Sequence, residues 1–241
     1  MFLYILVHQM SKLCQISALK PESNNMTQTS HLASHQEGLI TEAKDQRLIN
    51  PKALEKLRLT VIDLFAQGLF QEVGMREIAK RAQVGLATIY KYYGNKEELV
   101  FACIDQDLAT LKGLLNDSYQ AHKNHTSREQ LKACLDTMVG FYLSHRQIAE
   151  IVYLNVPTRL WVSETQPMQI QQVQLIRQLI TKGQEKGEIR NDQPTEVMVQ
   201  LLLGSIFRYL VAYLLNQLPQ KEPKEVSEEI FSCLWPMLDK S

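Results

Sequence analysis

At 241 residues, 45 % of them apolar, the chain is long enough for one large domain or two modest ones around a substantial core. Its 26 basic and 26 acidic side chains cancel, which excludes an overall field drawing it to nucleic acid or membrane and leaves any polyanion-binding surface to local clustering. Cys14, Cys103, Cys134 and Cys233 lie far apart without a CxxC pair, which argues against a zinc ribbon or a disulfide framework and suits a reducing cytoplasm.

Residues 1–46 read as a leader. "FLYILV" is apolar but too short to span a bilayer, and no basic segment precedes it as in a secretory signal. "PESNNMTQTSHLASHQEG" is polar with no helical period, the composition of a disordered segment. Synthesis starting at Met26 is an alternative reading. From residue 50 onward, helix signals follow one another with almost no strand-like alternation. Asn50–Pro51 pairs a capping side chain with a pre-bent first residue. Leu54, Leu57, Val61, Leu64 and Phe65 then form an apolar stripe that Gly68 stops. A second helix fits Met75–Ala82, a turn Gln83–Gly85, and a third helix Leu86–Tyr93. Asn95 with Glu98 caps a fourth, near Lys96–Leu115, followed by "HKNHTSRE" as a polar linker. Thr126 with Glu129 repeats the capping spacing and opens a helix to about Leu143. Further helices fit Gln147–Asn155, Gln166–Lys186, Pro194–Asn216 and Lys224–Leu238. The expectation is an all-α protein: a leader (1–46), a three-helix unit (47–95) and a larger helical bundle (96–241).

The third helix carries three tyrosines in four positions. At about 100° per residue, Leu86, Ile89 and Tyr93 gather on one side with Tyr90 at its edge, while Thr88, Lys91 and Tyr92 point away and Ala87 lies on a flank. Tyr93 is then the core tyrosine and Tyr92 the exposed one, with Tyr90 packing its ring and extending its hydroxyl. A small residue, a hydroxyl, a lysine and phenols on one outward face suit a nucleic-acid groove. Two short helices joined by a three-residue turn make a helix-turn-helix. Lys96 opens the next helix, where free N–H groups favour a phosphate. Residues 51–100 hold eight Lys and Arg against six acidic side chains, so charge alone says little.

"LFAQGLFQEVGMREIAKRAQVGLATIYKYYGNKEELV" resembles the DNA-binding domain of the TetR/AcrR family of bacterial transcriptional regulators. The resemblance is carried by "LFA", by "IA", by the turn valine and by "T-I-Y-x-Y-Y-x-N-K-E-x-L", over roughly residues 51–105. It implies that Leu86, Ala87, Thr88, Tyr90, Lys91, Tyr92 and Lys96 occupy DNA-contact positions and that Ile89 and Tyr93 occupy core positions. Three departures stand out. Leu69 replaces a helix-ending glycine, Gly74 and Gly85 replace Ser or Thr caps, and Gln83 replaces the turn glycine. A left-handed Gln83 costs about 1 kcal/mol.

Downstream, "VMVQLLLGSIFRYLVAYLLNQ" is apolar all round but contains Gln200, Ser205 and Arg208, which favours a buried helix at a subunit interface over a membrane span. The resemblance implies a cytoplasmic homodimer, a repressor of double-stranded operator DNA, built from the last two helices. Leu201, Gly204, Ser205, Arg208, Phe231, Leu234 and Trp235 are its candidate interface residues. It also implies a small-molecule effector, apolar or amphipathic, in the middle helices. Met138, Phe141, Tyr142, Tyr153, Trp161, Met168, Gln172 and Ile176 are the candidate lining, though each is equally a core residue. His122 and His125 have no third ligand in sight, and neither a nucleophile elbow nor a Gly-rich phosphate loop is found, so no metal, cofactor or enzyme is expected. A helical interaction protein that has lost DNA binding is the competing class, and a peripheral membrane protein the next.

Overall fold

The computed structural model describes residues 50–161 and 167–240, without the side chains of residues 158 and 167–172. The leader and the side chains of Met168 and Gln172 therefore lie outside the described residues. Within them the chain is helical and has no strands. A lone antiparallel bridge, Ile189 to Asp239, ties the segment after the eighth helix to the chain's end.

Helix α1, Pro51–Gln67, starts where Asn50 accepts the Lys52 N–H at 2.9 Å. It stops where the Gly68 N–H closes on the Leu64 carbonyl at 3.0 Å and the chain turns extended. Leu57, Val61 and Phe65 on its inner face are fully buried. Helices α2, Met75–Ala82, and α3, Leu86–Tyr93, have the limits that the sequence predicts. Gln83 between them sits at φ 58°, ψ 38°, the left-handed conformation expected of it. Its side chain accepts a hydrogen bond from the Lys56 ammonium.

Helix α4 runs from Lys96 to His122, a full two turns beyond the expected end near Leu115. "HKNHTSRE" is thus not all linker: only residues 123–126 separate α4 from α5, Ser127–Ser144. Thr126 and Glu129 form the reciprocal capping box at that start. Helix α6, Arg146–Glu150, continues into a π turn, Ile151–Asn155, where one helix was expected. A short α7, Thr158–Trp161, was not foreseen. Helices α8, Pro167–Glu185, α9, Thr195–Leu214, and α10, Pro223–Leu238, complete the bundle.

One continuous apolar core joins these elements. Ile89 from α3, Leu99, Ile104 and Leu111 from α4, Val139 from α5, Ile180 from α8 and Val226 from α10 are all without exposed surface. Helix α1 packs on α2 and α4 and also on α6 and its π turn, so it links the three-helix unit to the bundle. Helix α10 lies along α5, which also packs on α4.

Helix α9 is long and apolar enough to cross a membrane by length and composition, with mean hydropathy 1.7, and 39 % of that stretch is buried inside the protein. Met198, Leu202, Ile206 and Leu210 make its inward face. Its outward face carries Val197, Leu201, Gly204, Ser205, Arg208 and Leu215, all exposed. The α10 residues correct the expected interface. Phe231 and Leu234 are buried within the protomer, because the apolar stripe of α10 faces α5 rather than solvent. Trp235 is half-buried and stacks on Phe231 at 5.8 Å, with the Arg128 guanidinium over both rings.

Candidate nucleic-acid interface

Ile89, with no exposed surface, anchors α3 against the core, and Leu86 and Tyr93 pack beside it. Burial pushes the Tyr93 hydroxyl up to about 12, which marks its ring as an inward group that stays neutral. The face turned to solvent is made of Ala87, Tyr90 and Lys91. Tyr90, 46 % exposed, is the outermost of the three tyrosines. This reverses the expected order of Tyr90 and Tyr92. Tyr92 is half-buried because its ring leans on Tyr93 at 5.9 Å. Thr88 is half-buried as well. Its hydroxyl lies close to Gly85, where a Cβ would stand 3.2 Å from it.

Lys96 is a second correction. It was expected to hold a phosphate, but its ammonium is turned inward. It donates to the Phe70 carbonyl at 2.6 Å and to the Val73 carbonyl at 3.1 Å, and it lies 4.4 Å from the centre of the Phe70 ring. These bonds tie the start of α4 to the loop between α1 and α2. Lys96→Met, which keeps the stem and removes the donors, is expected to lower stability by about 1 kcal/mol, measured by urea unfolding. Its effect on the salt dependence of DNA binding should be nil, whereas a phosphate contact would reduce that slope.

Among the described residues, the middle-helix candidates pack on one another and on their neighbours. Tyr142 meets Tyr153 edge-on at 4.9 Å, and Tyr153 lies 5.5 Å from Phe207. Burial, with the hydrogen bond to Tyr142, raises the Tyr153 hydroxyl well above its ordinary range. Phe141 meets Tyr142 edge-on at 5.5 Å and stacks on His145 at 4.3 Å. Trp161 packs edge-on against Phe101 of α4 at 4.8 Å, its indole N–H buried without a hydrogen-bond partner among the described residues. Met138 and Ile176 line an apolar void of about 20 Å³, which they share with Leu202, Ile206, Phe231 and Leu234 among others. That is room for about one water. The six candidates whose side chains are described thus make close contacts of the kind found in interiors. An open groove of about 470 Å³ lies elsewhere, between α1 and Arg81, and carries both signs of charge.

Comparison with known proteins agrees with this architecture. Residues 62–103 match the family model described as bacterial regulatory proteins, tetR family. The HTH-type transcriptional regulator YdeS of Bacillus subtilis (strain 168) is 30 % identical over 162 residues, which cover 62 % of this chain and 73 % of that protein. Among solved structures, the ketosteroid transcriptional regulator KstR2 of Mycobacterium tuberculosis has a TM-score of 0.63 at 15 % identity, over 80 % of this chain and 98 % of that one. The transcriptional regulator FadR from Bacillus subtilis, solved in complex with stearoyl-CoA, has a TM-score of 0.59 at 16 % identity, over 75 % and 96 % of the two chains. The structural likeness speaks for the fold, and the sequence relative and the family model speak for descent. The chain is a helix-turn-helix transcriptional regulator and belongs to the TetR family of bacterial regulatory proteins.

Proposed function

We propose that the protein is a homodimeric repressor that acts in the cytoplasm, reads double-stranded operator DNA through α3, and releases it when an apolar or amphipathic effector enters the bundle. In this reading residues 47–95 bind DNA, and residues 96–241 hold the effector and the partner subunit. The observation that carries it is the division of α3 into an anchored face at Ile89 and an outward face of Ala87, Tyr90 and Lys91. Ala87 admits close approach to the duplex, Lys91 supplies charge, and the Tyr90 hydroxyl reaches a phosphate or a base edge. Leu86, Thr88 and Tyr92, half-buried, flank that contact.

One helix of this length makes few contacts, so two related half-sites must be read together. The exposed stripe of α9 supports the pairing. Gly204 and Ser205 leave room for a second helix, and Val197, Leu201 and Leu215 give it apolar surface to cover. Sedimentation should therefore give twice the 27.7 kDa chain mass. For the effector, the aromatic cluster of Tyr142, Tyr153 and Phe207 offers apolar lining with two hydroxyls, and stearoyl-CoA is the probe to use first.

The test is a gel shift on the DNA upstream of the protein's own coding sequence. Retardation should fall steeply with salt, as counterions released from phosphates require. Added stearoyl-CoA should abolish it. Absence of any shift at low salt would sink the DNA-reading assignment, and a shift untouched by the probe would exclude this effector class.

A further inference from the structure

Helix α6 does not end as an α-helix. The Val156 N–H donates to the Ile151 carbonyl at 3.0 Å, five residues back, and Ile151–Asn155 form a π turn. An inserted residue of this kind worsens hydrogen-bond geometry and tends to persist where its effect is used. The effect here is where Asn155 lies. Its side-chain amide donates to the Phe65 carbonyl at 3.0 Å and to the Ala66 carbonyl at 2.7 Å. Its own carbonyl accepts the Phe70 N–H at 3.0 Å. Phe65 and Ala66 are in the last turn of α1, whose carbonyls have no partner within the helix, so a bundle residue supplies the missing donors. Two positions earlier in the same turn, Tyr153 is held against Tyr142 and Phe207. The π turn therefore touches α1 through Asn155 and the aromatic centre of the bundle through Tyr153.

We propose that Asn155 is a positioning residue that fixes the angle at which the helix-turn-helix is carried on the bundle, and that the π turn is the joint relaying a change beside Tyr142 and Tyr153 to α1. The consequence for operator affinity rests on the DNA-reading assignment of α3, whereas the joint itself does not. Any molecule that parts Tyr142 from Tyr153 moves the backbone that holds Asn155. The three bonds then loosen, and α1 takes α2 and α3 with it.

The experiment reads the angle directly. Spin labels are placed at Ala87 on α3 and Gln178 on α8, both exposed, with Cys14 and Cys233 changed to serine. Labelled protein is diluted into unlabelled protein, so that pulsed electron resonance reports the distance within one chain. The wild type should give one narrow distribution, and N155A a broadened or shifted one. Exchange of the Phe70 amide in N155A should accelerate about tenfold or more, while that of Ile180, deep in the bundle, stays unchanged. N155D separates bonding from shape, because its carboxyl donates a hydrogen bond only when protonated. At about pH 7, where that carboxyl is ionised and can only accept, N155D should match N155A. A wild-type distribution in N155A overturns the proposal, as does a wild-type distribution in ionised N155D. Should N155A unfold, the N155D comparison decides alone. Failure of the wild type to bind DNA would overturn the regulator reading and leave the distance result standing.

Discussion

Tyr90→Ala combined with Lys91→Ala lowers operator affinity by roughly two to three orders of magnitude and leaves the melting temperature unchanged. Both side chains are exposed on α3, outside the core around Ile89, so their removal leaves that core intact. The proposed dimer would lose four contacts to phosphate or base edges, and at about 1 kcal/mol each the sum is about 4 kcal/mol. The salt slope should shrink by about two, one for each lysine withdrawn from the pair of heads. Tyr92→Ala is the contrasting variant. Its half-buried ring leans on Tyr93, so its loss falls on stability, by about 1 kcal/mol, before it falls on DNA. Fluorescence anisotropy on a labelled upstream fragment measures the first effect and urea unfolding the second. If the double variant binds as the wild type does, α3 does not enter the groove by this face.

Gly183→Ala is the second large effect and runs against helix propensity. Inside α8, alanine in place of glycine should add about 1 kcal/mol of stability. Here a Cβ would stand 2.5 Å from Ile189 Cδ1, 2.7 Å from its Cγ1 and 2.9 Å from Ser127 Oγ. None of these can retreat into solvent, because Ile189 and Ser127 are each 1 % exposed. Ile189 is also bridged to Asp239, and the Ser127 N–H is bonded to the Glu188 carboxylate. Forcing them apart costs about 3 kcal/mol, for a net loss of about 2 kcal/mol. In a chain of this size that is a fall of about 4–8 °C in melting temperature, readable by calorimetry. A melting temperature at or above the wild-type value would show that the joint between α5 and α8 yields easily.

How much of this was readable from the residues follows from what each signal encodes. The limits of α2 and α3, the Thr126–Glu129 cap and the left-handed Gln83 were legible because each is set by a few neighbouring residues. The length of α4 was not. Its last two turns are polar on all but one narrow edge, and a solvated helix reads like a linker when only apolar spacing is followed. The order of Tyr90 and Tyr92 failed for a different reason: both lie near the boundary of the buried arc, and a ring contact with Tyr93 decides between them. Phe231 and Leu234 showed an apolar stripe without saying which neighbour covers it, and α5 does. Lys96 was placed correctly at a helix start, yet the carbonyls that capture it lie more than twenty residues away in sequence. The π turn at Ile151–Asn155 gave no warning, since an apolar run has the same composition whichever way it is wound.

The narrowness of the space beside Met138 and Ile176 has a kinetic consequence. An inducer entering beside Met138 and Ile176 waits for helices to part and cannot be admitted faster than they breathe. The observed rate of uptake should then level off at high inducer concentration, instead of climbing in proportion, and the affinity is discounted by the rarity of the parted state.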